Sequence, residues 1–191
     1  MKNNLKLERK TLQKEVEEIF PSLIGKKEAL ELLAQKMKIG LLTRDDDLGS
    51  HFCVMTMLYN ERGEVLMGLH KKSGLILANG GHVDENELMT EAAIREINEE
   101  VGLIIEAVLE PELLTICPIE NPKILCKRHY SFWFFIPVKN DFQPDEEKML
   151  KEFDWWRWYK IEEAKKLDSS KEHFEALDFL LNKLDINADE K

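Results

Sequence analysis

The chain has few cysteines and no long apolar segment. Its three cysteines, Cys53, Cys117 and Cys126, form an odd number without CxxC spacing, and each lies beside apolar residues. This pattern indicates reduced thiols in a protein core. Residues 1–8 are polar and charged, and no apolar run approaches the roughly 18 residues that a membrane span needs. Secretion and membrane insertion are therefore not expected, and we expect a cytoplasmic location.

Positive charge is also scarce. The 191 residues include 27 Lys and Arg against 37 Asp and Glu, which gives a formal net charge of −10. Stable binding to duplex nucleic acid or to an anionic membrane needs clustered Lys and Arg. We therefore expect neither as a partner, and a phosphate ligand would need cations to approach this protein.

The first 50 residues are predicted to form a helical arm and a linker. Apolar residues recur at helical spacing over 5–20 and again over 26–37. Residues 43–50 are acidic and end in Gly-Ser, which is typical of a linker or an exposed loop. We therefore divide the chain into an arm and linker, 1–50, and a main domain, 51–191. The arm could cover a sheet edge, form a homodimer or cap a pocket.

The main domain alternates between strand-like and helical segments. The sequence predicts strands over 51–59, 65–69, 104–117, 129–138 and 153–159. Helical spacing covers 88–101 and 161–184. Strands on both sides of one central helix indicate an α+β sandwich rather than a regular βαβ winding.

The predicted central helix carries several carboxylates on one face. Positions three and four apart share a helix face, so Glu96 is expected to lie near both Glu99 and Glu100. Like charges so close repel each other unless a hard divalent cation with oxygen ligands lies among them. Gly80 and Gly81 allow the preceding loop to bring a backbone carbonyl close to such a cation. On most helices, however, such glutamates only keep a surface solvated.

These residues belong to a longer pattern that resembles the Nudix box. That signature is a glycine, five residues, a glutamate, seven residues and then R-E-U-x-E-E-x-G-U, where U is a bulky aliphatic residue. Every position matches, with Gly81, Glu87, Arg95, Glu96, Ile97, Glu99, Glu100, Gly102 and Leu103. From ordinary residue usage, a complete match arises by chance roughly once in a million. The pattern therefore favours the Nudix family over an ordinary surface helix.

The resemblance covers about residues 52–167 and implies an α/β/α sandwich with a mixed sheet, here with an N-terminal helical arm. It also implies that magnesium or manganese is bound and that water attacks a diphosphate linkage. In the family, the metal ions neutralise the phosphates, activate the water and shield the leaving group. Bound cations would also explain how an acidic protein holds an anionic substrate.

The resemblance also implies a role for each residue of the signature. Glu96 and Glu100 would be the principal metal ligands, Glu99 a further or bridging ligand, and the carbonyl of Gly80 another. Arg95 would orient the glutamates. The supporting residue for the loop would be Glu87.

Two further positions bear on the predicted site: one where the chain departs from the family pattern, and one that could supply a glutamate from outside the box. Many members carry proline where this chain has Asn79, which predicts a less rigid turn. Members often recruit a further glutamate from a loop outside the box. Residues 145–147 fall where such a loop would lie, and Glu147 is our catalytic candidate, with Glu146 as its alternative. A solvent-facing turn is an equally good interpretation of this stretch.

Four further polar residues lie near the predicted site in sequence. His70 and Lys72, at the end of the second predicted strand, would supply a proton donor and a cation to the substrate phosphates. An ordinary surface position is the competing interpretation of both. His82 and His129 are left unassigned, because a lone histidine is more often structural.

Three functions remain open from the sequence. The first is hydrolysis of a small nucleotide-like diphosphate, such as a nucleotide sugar, ADP-ribose, a dinucleoside polyphosphate or a modified nucleoside triphosphate. A second is a non-catalytic nucleotide sensor, although sensors commonly lose box glutamates and this chain keeps them. The third is an enzyme like isopentenyl diphosphate isomerase, which uses a cysteine before its box, where this chain has Cys53.

Overall fold

The computed structural model describes residues 10–119, 123 and 125–189, with side chains as far as residue 185. Its strands are β1 (Ile24–Gly25), β2 (Ser50–Asn60), β3 (Glu64–His70), β4 (Ile76–Leu77), β5 (Asn79–His82), β6 (Leu113–Pro118), β7 (Arg128–Val138) and β8 (Phe153–Lys160). Its α-helices are α1 (Leu12–Ile19), α2 (Lys27–Ile39), α3 (Met89–Glu96), α4 (Glu146–Glu152), α5 (Ile161–Ala164) and α6 (Lys171–Asp189). A π-helical turn, Ile97–Val101, continues α3. Among the described residues, none of the helices combines the length and apolar character needed to span a bilayer.

The strands form one mixed sheet in the order β1-β6-β7-β2-β3-β4, with β5 paired to β2 and β8 paired to β3. β2 runs parallel to β7 and β1 parallel to β6, whereas the other pairs are antiparallel. Alternate residues of a strand face opposite sides of a sheet. Accordingly, Phe52 and Val54 of β2 enter one hydrophobic core, and Met57 enters another.

Helices cover both faces of this sheet. On one face, α1, α2 and α3 contribute Val16, Leu33 and Ala93 to a core with Phe52 and Phe132. On the other face, α5 and α6 cover a second core, which contains Met57, Trp133, Ala164, Ala176, Leu177 and Leu180. Each fully buried large apolar side chain contributes about 1.5–3 kcal/mol. The predicted α/β/α sandwich with a mixed sheet and an N-terminal helical segment is confirmed.

The N-terminal segment packs directly on the central helix. Glu15 of α1 is buried, and its carboxylate accepts hydrogen bonds from Met89 N at 2.6 Å and from Thr90 N at 3.2 Å. The Thr90 hydroxyl donates to the same carboxylate at 2.7 Å. An anion at this position satisfies free N–H groups and the positive end of the helix dipole. Residues 5–9 of the predicted helical stretch lie outside the described residues.

Residues 43–50 form a hydrogen-bonded turn in which Arg44, Asp45, Asp46 and Leu48 are exposed. The buried Lys36 ammonium donates to Asp47 Oδ2 at 2.7 Å and to the Ser50 carbonyl at 2.6 Å. Asp46 Oδ2 accepts from Thr43 N at 3.0 Å. The Lys36 ammonium holds the pKa of Asp47 well below its usual range. Asp47 therefore pairs with a buried cation, a contact that the local sequence could not indicate.

Two predicted elements differ from the structure. The strand predicted from residue 104 begins only at Leu113, because Ile104 and Val108 are 74% and 87% exposed and make no alternating buried face. The helix predicted over 161–184 is divided into α5 and α6 by residues 165–170. The strands predicted at 51–59, 65–69, 129–138 and 153–159 are confirmed as β2, β3, β7 and β8.

Candidate active site

Two glycines bring the loop before α3 against its carboxylates. Both lie in β5, where Gly80 pairs with Met55 and Gly81 with Val54. A Cβ atom on Gly81 would collide with the carboxylate of Glu96, and one on Gly80 would collide with the Val54 carbonyl. Only glycine fits at position 80, where the neighbour is backbone, and a side chain at position 81 would displace the Glu96 carboxylate.

Arg95 links this loop to the helix. Its guanidinium donates to both carboxylate oxygens of Glu87, at 2.8 and 2.9 Å, and to the His82 carbonyl at 3.0 Å. It also donates to Glu96 Oε1 at 2.7 Å. The hydrogen bonds to Glu87, followed by those to Glu96, raise the pKa of Arg95. These are the contacts that the roles expected for Arg95 and Glu87 require.

Glu100 is the more deeply placed carboxylate. Its Oε2 accepts hydrogen bonds from Asn79 Nδ2 at 3.1 Å and from Gly80 N at 3.2 Å. Burial nevertheless raises the pKa of Glu100 to about 7, and the nearby Glu96 carboxylate contributes. Asn79, which replaces the usual proline, therefore supplies a hydrogen bond to a predicted metal ligand.

Glu96 and Glu99 complete the group at the surface. Burial raises the pKa of Glu96, although Arg95 opposes this shift. Glu99 is 62% exposed and lies 3.6 Å from the Arg95 guanidinium. The group borders an open cleft of about 430 Å³, whose lining residues are Glu96, Asn98, Glu99, Glu100, Lys148, Lys151 and Glu152.

The donor set of this cleft fits a hard divalent cation. Three carboxylates converge, and two of them are held in surroundings that disfavour their negative charge. A cation with oxygen ligands would remove that cost, since magnesium and manganese prefer carboxylate, carbonyl and water oxygens. The peptide N–H of Gly80 binds Glu100, so the Gly80 backbone lies beside the carboxylates as the expected carbonyl ligand requires.

The carboxylate from outside the box that borders the cleft is Glu152 rather than Glu147. Residues 145–147 begin helix α4, with Asp145 capping it, and Glu147 is exposed and does not line the cleft. Glu152 lies three residues after the buried Met149 and so shares its inward face. This helical spacing is the signal that could have identified Glu152.

The two residues predicted to bind substrate, His70 and Lys72, both lie close to the Glu152 carboxylate. Lys72 Nζ lies 2.8 Å from Glu152 Oε2, and His70 Nε2 lies 3.8 Å from the same oxygen. Lys148, which the sequence reasoning missed, donates to the Asn98 carbonyl at 2.6 Å and so fixes α4 against the π-helical turn. The structure thus brings His70 and Lys72 to the edge of the glutamate cleft.

Comparisons with known proteins agree with this geometry. The NUDIX domain family model matches residues 49–179. Among solved structures, the E. coli dihydroneopterin triphosphate pyrophosphohydrolase has a TM-score of 0.60 and 21% identity, covering 69% of this chain and 95% of that chain. A C. elegans Ap4A hydrolase has a TM-score of 0.55 and 20% identity, covering 70% and 97%. The MutT protein from Methanosarcina mazei Go1 has a TM-score of 0.54 and 18% identity, covering 73% and 97%. None of the curated proteins compared with this chain matches it.

Proposed function

We propose that this chain, a pyrophosphohydrolase that belongs to the NUDIX domain family, uses a divalent cation to cleave a diphosphate linkage in a small nucleotide-like molecule. The observation that carries the proposal is the convergence of Glu96, Glu99 and Glu100 on one cleft, with Arg95 bound to the first of them. The complete signature and this geometry favour catalysis over a sensor that only holds its ligand.

Magnesium or manganese is the proposed cofactor. Glu96 and Glu100 are the proposed principal ligands, with Glu99 and the Gly80 carbonyl as further ligands. The bound cation would neutralise phosphate charge, activate a water molecule and stabilise the leaving phosphate. Glu100 must release its proton before it can bind the cation, so metal affinity should rise with pH up to about the pKa of 7.

The remaining polar groups have supporting roles in this proposal. Arg95 keeps the Glu96 carboxylate turned toward the cleft, and Asn79 does the same for Glu100. Lys72 and His70 lie where they can meet a substrate phosphate at the edge of the cleft. Glu152 is better placed than Glu147 to accept a proton from water, because it lines the cleft.

The substrate is proposed as a nucleoside diphosphate joined to another group. Nucleotide sugars, ADP-ribose, dinucleoside polyphosphates and modified nucleoside triphosphates all belong to that class. The names of two structural relatives add dihydroneopterin triphosphate and Ap4A to the compounds worth testing. Duplex nucleic acid is not a proposed partner.

An isomerase that uses Cys53 is a poorer match to the geometry. Cys53 is buried, and burial raises the pKa of its thiol well above the ordinary value. It precedes Val54 in β2, so its side chain lies on the face of the sheet opposite Gly81 and Glu96.

Hydrolysis in heavy-oxygen water tests the proposed function. Breaking the phosphate bridge leaves one phosphorus short of an oxygen, so one of the two phosphate products should carry the solvent label. The assay would use the panel above with magnesium or manganese. An isomerase would leave the diphosphate intact and unlabelled. If no panel compound reacted while one bound tightly, the chain would be a sensor and the hydrolase proposal would be wrong.

A further inference from the structure

Four side chains able to bind metals meet behind the glutamate site, on the other face of the sheet. They are His51 and Cys53 of β2, His82 of β5 and His129 of β7, and their potential ligand atoms all lie within 4.8 Å of one another. Strand register brings them together, because Cys53 pairs with His82 and His51 pairs with His129. Paired residues project from the same face of a sheet, so all four side chains converge.

The three imidazole rings are in mutual contact. Their centroids are 4.8 Å apart for His51 and His82, 5.0 Å for His51 and His129, and 5.3 Å for His82 and His129. Burial lowers the pKa of all three rings, to about 4 for His82 and about 3 for His129. A neutral imidazole ring offers a nitrogen lone pair to a metal ion.

The hydrogen bonds leave suitable nitrogen atoms free. His51 Nδ1 lies 3.0 Å from the Asp47 carbonyl and donates to it, so Nε2 is the acceptor nitrogen of this ring. The contact of Nε2 is with Cys126 Sγ at 3.9 Å, a weak thiol interaction that a metal ion would replace. In the part of the chain that the structure describes, the ring nitrogens of His82 and His129 form no hydrogen bond. Ring nitrogens without a protein partner are available to bind a metal ion.

We propose that His51, Cys53, His82 and His129 form a binding site for a zinc-class divalent ion, with three nitrogen ligands and one sulfur ligand. Tetrahedral zinc, with bonds of about 2.0–2.3 Å, places its ligand atoms about 3.3–3.7 Å apart. Contraction of this group by about 1 Å would reach that geometry. Nitrogen and sulfur ligands favour zinc over magnesium, so the site differs in chemistry from the glutamate cleft.

Binding would convert the Cys53 thiol to a thiolate and release its proton to solvent. His82 and His129 are only half-buried, which leaves a route for the ion to enter. The site would also brace the catalytic loop, because the carbonyl of His82 accepts a hydrogen bond from Arg95 at 3.0 Å. One residue would thus connect the ion to the guanidinium that holds Glu96.

Cobalt substitution of the full-length protein tests this site. Protein stripped of metal would be titrated with Co²⁺ in excess magnesium, which occupies oxygen ligands. We expect one equivalent to bind with the sulfur-to-cobalt charge-transfer band and the strong visible bands of a tetrahedral site. One equivalent of zinc should displace it. Absence of these bands in the wild-type protein would overturn the proposal.

Substitution of the proposed ligands one at a time tests whether each of them binds the metal ion. Cys53→Ser should remove the charge-transfer band, and His129→Ala should weaken cobalt binding by about 100-fold or more. His70→Ala and Cys117→Ser are the matched controls and should bind cobalt as the wild type does. Glu96→Gln should also keep the cobalt spectrum, which separates this site from the glutamates. Retention of the band in Cys53→Ser, or its loss in Glu96→Gln, would refute the assignment.

Thermal unfolding gives a second readout that does not depend on activity. Zinc should raise the Tm of the wild type and of His70→Ala, but not that of His82→Ala or His129→Ala. Because these two histidines are half-buried, their variants keep the test available if Cys53→Ser fails to fold. Equal zinc stabilisation of all variants would contradict the proposal.

Discussion

Glu100 occupies a position where its negative charge is costly. Hydrogen bonds from Asn79 and Gly80 favour the carboxylate, but burial and the Glu96 charge outweigh them and raise its pKa to about 7. A bound cation would remove this cost, so the metal-free fold favours cation binding. The same arrangement makes the stability of the metal-free protein depend on pH.

The first prediction concerns that dependence. Between about pH 4.5 and 7, folded Glu100 holds a proton that the unfolded chain has released, so the free energy of unfolding should fall as pH rises. Glu100→Gln should remove most of this fall and should be more stable than wild type at about pH 8. Urea unfolding in a chelator at both ends of the range measures it. A wild-type protein that becomes more stable across this window, with the gain lost in Glu100→Gln, would contradict the pKa shift.

The second prediction concerns the metal ligands. Glu96→Gln and Glu100→Gln should each weaken magnesium binding and lower turnover by about 100-fold or more, because a neutral amide binds the cation poorly. Magnesium titrations of turnover measure both effects. Glu106→Gln, an exposed change outside the box, is the control. Wild-type turnover of both ligand variants at limiting magnesium would exclude the assignment.

The third prediction compares the catalytic contributions of two glutamates in α4, Glu152 and Glu147. Glu152→Gln should lower kcat by about 10-fold or more, because Glu152 lines the cleft and contacts Lys72. Glu147→Gln, which is exposed on the same helix, should change kcat little. Circular dichroism spectra of both variants would show whether either substitution unfolds α4. A larger defect in Glu147→Gln would restore the assignment made from the sequence.

At the scale of elements, the central helix depends on a residue from another helix. The N-cap of α3, Leu88, has no side-chain oxygen, and Glu15 of α1 supplies the carboxylate instead. The arm is thus joined to the catalytic helix by a buried, charge-assisted contact.

The fourth prediction follows from this contact. Glu15→Gln should lower the free energy of unfolding by about 1–3 kcal/mol, because the amide loses the charge and presents N–H groups to N–H groups. Glu17→Gln, on the exposed side of α1, should change it by less than about 0.5 kcal/mol. Urea unfolding near neutral pH compares the two variants. Equal stabilities would show that the cap contributes nothing.

The end of the central helix also affects the site. Gly102 N donates to both Ile97 and Asn98 carbonyls, and its left-handed conformation, with φ of 78°, ends the helix. The turn before it is π-helical, a widening that recurs at functional sites. The sequence argument assumed ordinary α-helical spacing. All three glutamates line one cleft, but Glu99 is 62% exposed, whereas Glu100 accepts hydrogen bonds from Asn79 and Gly80.

At the scale of the whole molecule, the N-terminal segment is part of the core. Val16 and Leu33 are completely buried, and Leu42 is nearly so. At about 1.5–3 kcal/mol for each such side chain, their loss would approach the total stability of an ordinary domain, about 5–15 kcal/mol.

The fifth prediction tests this dependence. A chain of residues 49–191, which retains the whole family match, should unfold without a cooperative transition or with a much lower Tm than the full chain. Circular dichroism during heating and limited proteolysis measure this loss. A truncated chain with the full Tm would show that the main domain is independent, as a division after residue 50 implies.

The elements that could be predicted from the sequence are those whose own residues carry a clear apolar pattern or motif. β2, β3, β7 and β8 are long and rich in apolar residues, and the signature identified the central helix and its glutamates. β1, β4 and β5 have two to four residues and exist because distant strands pair with them, which no local period reveals.

Long-range register explains what the sequence could not predict at the site. Cys53, His82 and His129 were each considered alone, and His51 was not considered, because their meeting depends on how β2 aligns with β5 and β7. Glu152 was missed because residues 145–147 were interpreted as a loop rather than as the start of α4.

The parallel pairing of β2 with β7 has a consequence for biosynthesis. Residue 50 pairs with residue 128 and residue 60 with residue 138, so the middle of the sheet must wait until most of the chain has left the ribosome. Until then, the apolar strands β2 and β3 emerge with one open edge, which invites aggregation. Parallel pairings between distant segments also fold slowly. The nascent chain is therefore most vulnerable during the interval between synthesis of β3 and of β7, when a chaperone would have the most apolar surface to hold.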